Sequence, residues 1–227
     1  MRVLIIVFSI FSILPSTFSQ KTTVYDLSNF EQIIVIGNFP VEIIQSDRKE
    51  VIIKNDKANL DKLSFSYTKK TLTIKYNGSF VEEIGIELTL FHQGLITLVE
   101  ARRGAQIKLK DAGEFSSTVS YKADSGGKIV VDNILAPLVK AEVTKGGSIS
   151  INGETPIFEP TVKTGGTIAS VRLKSQEVNA NITFGGEIIC APIKLLNANV
   201  TSGGIINYTG NPKVTEKITF GGTIEKI

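Results

Sequence analysis

Residues 182–188 read ITFGGEI, and residues 218–224 read ITFGGTI. The shared pattern is an apolar residue, two variable residues, Gly-Gly, one variable residue and Ile. It occurs six times, with the Gly pairs at 126–127, 146–147, 165–166, 185–186, 203–204 and 221–222, and a weaker copy, ARRGAQI, occupies positions 101–107. The first glycines of successive pairs are separated by 20, 19, 20, 18 and 18 positions. A fixed period of about 20 residues indicates a repeat architecture.

The columns of this alignment predict half-buried strands. An apolar residue precedes each pair by three positions, and Ile follows each pair by two. The positions between them are mostly polar, so apolar and polar residues alternate with a period of two, as in strands with one buried face. No stretch between successive Gly pairs has the 3.6-residue periodicity of a helix, and Leu does not recur at the spacing of a leucine-rich repeat.

Short strands, glycine corners and a return to the same place every 18 to 20 positions predict an all-β, right-handed parallel β-helix. Each coil would stack about 4.8 Å from the last, with Ile and Val columns filling the interior. The glycines would allow either an unusual φ or a close approach between coils. The remaining corners are expected outside the ladders, near Pro137, Pro156, Pro192 and Pro212.

Three regions are expected along the chain. Residues 20–100 contain less regular β runs and predict N-terminal β layers that cap the solenoid. Residues 101–227 form the Gly-Gly repeat, and 20–227 are expected to be one continuous domain. Residues 1–19 predict a signal peptide, because Arg2 precedes an apolar run from Val3 to Leu14, and Thr17 and Ser19 suit cleavage before Gln20.

The signal peptide predicts an exported protein, located in the periplasm, on the outer surface or in the medium. No later apolar run approaches the length of a membrane-spanning helix, so no membrane span is expected. The formal net charge of +3 does not favour nucleic-acid binding. One Cys and one His exclude an internal disulfide framework, a Cys-based zinc cluster and any site that needs two imidazoles, and no metal or cofactor is expected.

Several segments together carry a family resemblance. Phe30 to Ile33 followed by Val41 to Gln45, the later strands at Leu72 to Ile74 and Ile86 to Leu90, and the glycine coils resemble the auto-transporter adhesin head GIN domain family. The resemblance covers about residues 26–227. It implies a right-handed β-helix in exported or surface proteins of the Bacteroidetes, and adhesion as the function. It implies no catalytic or ligand-binding residue.

Many β-helices act on polysaccharides, so the carboxylates of the repeat bear on the function. A glycosidase needs two carboxylates within about 5–10 Å of each other, which adjacent coils of one column could supply. The alignment instead places Glu187 between Thr167 and Ile205, Asp124 beside Thr144, and Glu142 between Lys122 and Thr161. The sequence therefore favours a protein that is not an enzyme, with a polysaccharide lyase or hydrolase as the alternative.

Isolated reactive residues have simpler interpretations. His92 is expected to be structural rather than a ligand or base, and Cys190 is expected to lie in the core. The cluster formed by Arg102, Arg103, Lys108 and Lys110 could contact anionic polysaccharide or lipid headgroups, but solvated side chains on a sheet edge explain it more simply.

The outer columns are the best candidate for a ligand surface. Evenly spaced hydroxyl and ammonium groups on a rigid sheet could bind a repeating partner, and exposed rings could stack on sugars. Phe184 and Phe220 precede the Gly pairs two coils apart and could serve this purpose, or could pack as corner residues. The candidate surface comprises Lys145, Lys163, Thr183, Phe184, Thr201, Thr219 and Phe220.

Together these patterns predict an exported adhesin-like binding module whose partner is a glycan or a surface protein. A purely structural periplasmic scaffold is a further alternative. The last coil, with apolar residues and strand edges, also predicts a homodimer formed through the C-terminal coil.

Overall fold

A computed structural model describes residues 21–55, 58–78 and 84–227, and the predicted signal peptide lies outside these ranges. The described chain is almost entirely β-strand, with one 3-10 turn at Leu60–Lys62. The first nine strands are β1 (Lys21–Asp26), β2 (Gln32–Ile36), β3 (Pro40–Gln45), β4 (Glu50–Asn55), β5 (Leu63–Thr68), β6 (Thr71–Tyr76), β7 (Ile86–His92), β8 (Leu98–Arg102) and β9 (Gln106–Lys110). The others are β10 (Gly113–Glu114), β11 (Val119–Asp124), β12 (Lys128–Leu135), β13 (Leu138–Thr144), β14 (Ser148–Thr164), β15 (Thr167–Phe184), β16 (Glu187–Ser202), β17 (Ile205–Tyr208), β18 (Lys213–Phe220) and β19 (Thr223–Lys226).

Two long ladders of strands form the main walls of the molecule. The first runs β5-β6-β2-β8-β11-β13-β14-β15-β16-β18, and its strands from β11 onward precede the Gly pairs. The second runs β1-β4-β7-β3-β9-β12-β14-β15-β16-β17-β19, and its strands from β12 onward follow the Gly pairs. All pairings from β8 onward are parallel, as successive turns of one solenoid require, so the predicted parallel β-helix is confirmed.

A short third side joins the end of the second ladder to the start of the first. Gly113, Ile134, Gly153 and Leu173 are in register along it. The expectation that prolines mark turns outside the ladders is wrong for two of them. Pro156 lies inside β14, and Pro192 lies inside β16 opposite Ser175. Pro192 adjoins a register shift between β15 and β16, and Pro156 has no partner in β15 between the registered residues Thr155 and Ile157. In neither place does the missing N–H interrupt a regular ladder.

The N-terminal end departs from a simple solenoid. Strands β1, β4 and β7 pair antiparallel to one another in that order, and β5 pairs antiparallel to β6. The turn formed by β2 and β3 lies between the turn formed by β6 and β7 and the turn formed by β8 and β9. The spatial order of the first turns therefore differs from their order in the chain.

The interior is built from the apolar columns that the sequence predicts. On the second ladder, six isoleucines in register are at most 2% exposed: Ile107, Ile129, Ile149, Ile168, Ile188 and Ile206. The last turn is less buried. Ile218, which continues the apolar column of the first ladder after Val200, is 45% exposed, because no further turn of the described chain packs on it. Each buried column gains its stability from the turns on both sides.

The two glycines of a pair have different tasks. A Cβ on Gly185 would meet nothing within 4 Å in the described structure, but this residue has φ +61°. A Cβ on Gly186 would lie 2.7 Å from the carbonyl oxygen of Gly166 in the preceding turn. The first glycine is therefore needed for its backbone conformation, and the second also for space between turns.

The left-handed residues shift by one position along the repeat. At the earlier corners they are Arg103 with Gly104, Ser125 with Gly126, and Lys145 with Gly146, whereas from residue 165 onward both members of each Gly pair have positive φ. The second glycine of the earlier pairs still lacks room for a side chain, because a Cβ on Gly147 would lie 2.7 Å from the carbonyl oxygen of Ala123. Close packing of the turns is thus common to every Gly pair, although the turn conformation is not.

Because the two glycines of a pair have different tasks, the same substitution is expected to be tolerated at the first glycine and not at the second. Asn adopts the left-handed region more readily than other non-glycine residues. We expect Gly185→Asn to lower the free energy of unfolding by less than about 1 kcal/mol, and Gly186→Asn to lower it by at least about 3 kcal/mol. Urea unfolding of both variants measures the difference. Equal effects would contradict the assignment of the close contact to the second glycine.

The core also contains an unpartnered hydroxyl. Tyr121 is completely buried, and among the described residues its hydroxyl has no hydrogen-bond partner. Burial raises the pKa of this phenol well above its usual value. We expect Tyr121→Phe to raise the free energy of unfolding by about 1 kcal/mol, because it removes a buried polar group without leaving a cavity. Destabilisation by this substitution in chemical unfolding would show that the hydroxyl is satisfied, for example by an internal water.

Candidate binding face

The outward side of β15 from Asn179 to Thr183, and of β16 from Asn197 to Thr201, is an uncharged polar surface on the first ladder, which we call the Asn–Thr face. It alternates with buried residues such as Val178 and Ile182, so its side chains point away from the core. Its members are Asn179, Asn181, Thr183, Asn197, Asn199 and Thr201. They form three columns, because Asn179 is in register with Asn197, Asn181 with Asn199, and Thr183 lies opposite Thr201 between registered neighbours.

The asparagines are linked from turn to turn. Asn197 Nδ2 donates to Asn179 Oδ1 at 2.7 Å, and Asn199 Nδ2 approaches Asn181 Oδ1 at 3.5 Å. Asn179 also donates to Glu177 Oε1 at 3.0 Å. Each amide carries two donors and one acceptor, so these links orient the side chains and leave N–H donors for a ligand. The acceptor Asn199 Oδ1 is buried and has no partner among the described residues. The face is consequently ordered before any ligand arrives.

The earlier part of the same ladder has a different character. On β11 and β13 the outward positions alternate in charge, with Lys122 in register with Glu142 and Lys140 in register with Glu159. Lys140 and Glu159 form an ion pair at 2.9 Å. The uncharged Asn–Thr face therefore begins where this charged region ends, along one continuous sheet.

The corner beside the Asn–Thr face carries two exposed rings. Phe184 is 59% exposed and Phe220 is 74% exposed, so the alternative that they pack as corner residues is wrong. Ser202 lies between them in register. Two turns separate the rings, which places their Cα atoms roughly 10 Å apart along the solenoid axis.

The other predicted ligand residues fall into the same neighbourhood. Lys163, Thr183, Thr201 and Thr219 lie in one outward column on successive turns. Lys163 Nζ is 2.7 Å from Glu142 Oε1, so its charge is partly offset. Lys145 is exposed at the Gly corner of an earlier turn. The structure therefore brings the threonines and the phenylalanines together and leaves Lys145 farther from them.

The asparagine columns were missed from the sequence, although a signal was present. The interval from Asn179 to Asn197 equals the interval from Gly185 to Gly203, and Asn181 and Asn199 repeat it. Extending the alignment outward from the Gly pair places these side chains in columns. Asn ladders are a recurrent stabilising feature of stacked parallel strands.

The carboxylates behave as the alignment predicts. Glu187 is in register with Thr167 and Ile205, and Asp124 with Thr144. Glu142 is in register with Lys122 and Thr161. None of these three carboxylates is therefore stacked on another one. Within the described residues, no group of three or more His, Cys, Asp or Glu side chains could hold a metal ion.

The basic cluster of the sequence is divided in the structure. Arg102 lies on the first ladder, where its Nε is 2.7 Å from Glu100 Oε1, and this carboxylate raises the pKa of the guanidinium. Lys108 and Lys110 lie on the second ladder, and Lys110 Nζ is 2.7 Å from Glu42 Oε1. The cluster thus does not form one anion-binding patch.

Cys190 and His92 are both buried. Cys190 is completely inaccessible, and burial raises the pKa of its thiol to about 12, as expected for a core residue rather than a nucleophile. His92 is 8% exposed, its ring centroid lies 5.9 Å from that of Phe30, and its Nδ1 has no partner among the described residues. Burial lowers the pKa of His92, against a weaker opposing effect of a hydrogen bond with the Gln93 backbone.

The lowered pKa of His92 predicts acid sensitivity. The native state favours the neutral imidazole, so its stability is greatest above the unfolded-state pKa of about 6.5 and falls as the pH decreases toward the native pKa. We expect the free energy of unfolding to fall between pH 7.5 and about 5.5, by at most about 1.4 kcal/mol per pH unit. Urea unfolding at several pH values measures it. His92→Leu should remove most of this dependence, and an unchanged slope in that variant would assign it to other groups.

Comparison with known proteins agrees with the fold. A crystal structure described as a putative adhesin from Bacteroides fragilis superposes with a TM-score of 0.78 at 16% sequence identity, covering 93% of this chain and 98% of that one. A putative adhesin from Parabacteroides merdae gives a TM-score of 0.69 at 19% identity, with 91% and 95% covered. Another from Parabacteroides distasonis gives 0.69 at 18% identity, with 92% and 98% covered. At these identities the similarity establishes the fold alone.

No curated protein matches the sequence. The described chain contains no helix long and apolar enough to cross a membrane. A family model described as "Putative auto-transporter adhesin, head GIN domain" matches residues 29–212, which is most of the chain and includes five of the six Gly pairs. The resemblance noted in the sequence is thereby confirmed, and the protein belongs to the auto-transporter adhesin head GIN domain family.

Proposed function

We propose that the protein is an exported adhesin-like module that binds a neutral glycan on the Asn–Thr face without cleaving it. The observation that carries this proposal is the combination of an uncharged amide and hydroxyl surface with two exposed phenyl rings at its border. Amides and hydroxyls can both donate hydrogen bonds to sugar hydroxyls and accept them. Phenyl rings supply large rigid apolar surfaces for the C–H faces of sugar rings.

The geometry suits an extended polymer better than a small molecule. The three columns of the face repeat at the spacing of the turns, about 4.8 Å. The surface is flat and open, whereas small-molecule sites are usually concave and enclosed. A repeating chain laid along the solenoid axis would meet equivalent groups on successive turns, so many weak contacts would add together.

Absence of cleavage is part of the proposal. It is supported by three carboxylates of the repeat, Asp124, Glu142 and Glu187, whose neighbours in register are Thr, Lys or Ile. Family membership points the same way, because the family description names adhesion. A polysaccharide hydrolase or lyase and a structural scaffold remain the competing functions for the experiment to distinguish.

The test is native electrophoresis of the purified protein through gels that contain different neutral polysaccharides. We expect retarded migration in at least one gel, with the polymer intact after staining. Replacing both rings, by Phe184→Ser and Phe220→Ser, should weaken binding about tenfold, since each aromatic contact contributes about 0.5–1.5 kcal/mol. Tyr25→Ser is the matched control, because Tyr25 is 48% exposed at the N-terminal end of the solenoid, in β1.

Other outcomes of this experiment contradict the proposal in distinct ways. A cleared zone in the stained gel would mean that the polymer is depolymerised and that the protein is an enzyme. No retardation in any gel would favour a protein partner or a scaffold. Equal weakening by Tyr25→Ser and by the double variant would mean that the phenylalanine corner is not the binding surface.

The proposal includes self-association through the last turn. Within the described chain, β18 and β19 each pair along one edge only, and Phe220 lies in β18. Unpaired edges with exposed apolar residues favour pairing with another copy. Light scattering at micromolar concentration measures the mass of the unmodified protein and of the Phe184→Ser/Phe220→Ser variant. If both are dimers, weaker glycan binding by the variant reflects lost ring contacts; if only the variant is a monomer, it reflects lost avidity. A monomer in both cases would refute the homodimer and leave the glycan proposal intact.

A further inference from the structure

The third side of the last turns is basic. We call the segments 170–176, 190–194 and 208–213 the basic corner. They contain Arg172, Lys174, Lys194 and Lys213, and no Asp or Glu. All four side chains are exposed. Lys174 Nζ is 2.8 Å from Glu154 Oε1, whereas Arg172, Lys194 and Lys213 form no ion pair with any described residue.

Within the described chain, no neighbouring carboxylate forms an ion pair with these three cations. Glu154 is engaged by Lys174, and the charged Glu177 is separated from Lys213 by Leu195, which lies between them in register. Arg172, Lys194 and Lys213 are therefore exposed cations without an ion-pair partner among the described residues. An anionic partner would find them available, without first displacing an internal ion pair.

Exposed aliphatic side chains lie among these cations. Val171 is 46% exposed and Ile193 is 48% exposed. Together with Ala191 and Pro192 they line a groove of about 380 Å³, which Lys174 also lines. The register between β15 and β16 shifts after Ser170, so Val171 is not held in a regular strand position over the core. Arg172 and Lys194 directly follow the two exposed aliphatic residues in sequence.

We propose that the basic corner docks on the surface of an anionic lipid bilayer. Val171 and Ile193 would enter the boundary between headgroups and acyl chains, and Arg172, Lys194 and Lys213 would contact lipid phosphates. This is the arrangement by which peripheral proteins combine apolar insertion with electrostatic attraction to anionic headgroups. Long cationic side chains can reach headgroups while their stems remain on apolar surface.

The chemistry of the corner favours a bilayer over an anionic polysaccharide. A polysaccharide would find the exposed amides of Gln176 and Asn211 beside the cations, but it would leave the exposed Val171 and Ile193 without an apolar partner. Aliphatic side chains are stabilised by transfer into hydrocarbon, which a polysaccharide does not supply. The bilayer site is separate from the Asn–Thr face, so the two proposals can succeed or fail independently.

The test is co-sedimentation of the purified protein with vesicles of phosphatidylglycerol mixed with phosphatidylcholine, and with vesicles of phosphatidylcholine alone. We expect binding to the anionic vesicles, weakened by added salt, and little binding to the zwitterionic ones. The double variant Arg172→Gln/Lys194→Gln should lower the partition coefficient roughly 20-fold, because each cation near an anionic surface contributes roughly fivefold. Lys108→Gln/Lys128→Gln changes the net charge equally on the second ladder and should lower it less than about threefold.

The apolar part of the proposal has its own variant. Val171→Asn/Ile193→Asn keeps every charge and should lower the partition coefficient about tenfold or more. Both residues are already exposed, so unfolding midpoints close to that of the unmodified protein are expected for this variant.

Three results would overturn the bilayer assignment. They are equal binding to zwitterionic vesicles, equal losses in the two charge variants, and full binding by Val171→Asn/Ile193→Asn. Competition by inorganic phosphate or by a soluble anionic polysaccharide, beyond that produced by sodium chloride at the same ionic strength, would reassign the corner to a soluble anion.

Discussion

The close approach of successive turns at the glycine corner is the constraint on which the rest of the structure depends. The residue after each pair donates its N–H to the second glycine of the turn before, with distances of 2.9 Å from Ser148 to Gly127 and 3.1 Å from Thr167 to Gly147. The same contact continues from Glu187 to Gly166 at 2.9 Å. A side chain on the second glycine would clash with the preceding turn, which this hydrogen bond holds close. The corner therefore fixes both the distance between turns and their register.

Register fixed at one corner determines what lies on every other surface. Because the two long ladders keep their register beside the Gly pairs and shift only toward the third side, a residue type that recurs once per turn becomes a straight column. The buried columns of Ile exclude water, and the outward columns give each wall a composition of its own. This is how one sheet can be charged near Lys140 and Glu159 and uncharged at Asn179 and Asn197. A solenoid of this kind can thus change one surface while its core and corners stay the same.

Most of the repeat could be predicted from the sequence because its signals are local and periodic. The Gly pairs predict the turns, the Ile column predicts the core, and the predicted alignment of Glu142 with Lys122 and Thr161 is confirmed. The positions of the left-handed residues could not be predicted from the sequence, because Ser125 and Lys145 have positive φ angles although Ser and Lys rarely adopt them. The basic cluster shows in addition that residues close in sequence need not be close on the surface. Arg102 and Lys110 are close in sequence, but a corner lies between them, and they belong to different ladders.

The N-terminal arrangement was beyond local inference, because strand order in space is a long-range property. The placement of β2 and β3 between later turns has a consequence for how the chain reaches its native state. A simple solenoid can grow by adding each turn to its predecessor, with contacts that remain close in sequence. Here the turn formed by β2 and β3 lacks both of its neighbouring turns when it leaves the ribosome or the export channel, because those turns are formed by residues beyond 70. Formation of the N-terminal end therefore requires closure of long loops, which is the slow kind of folding step, while residues from about 120 onward can add turn by turn.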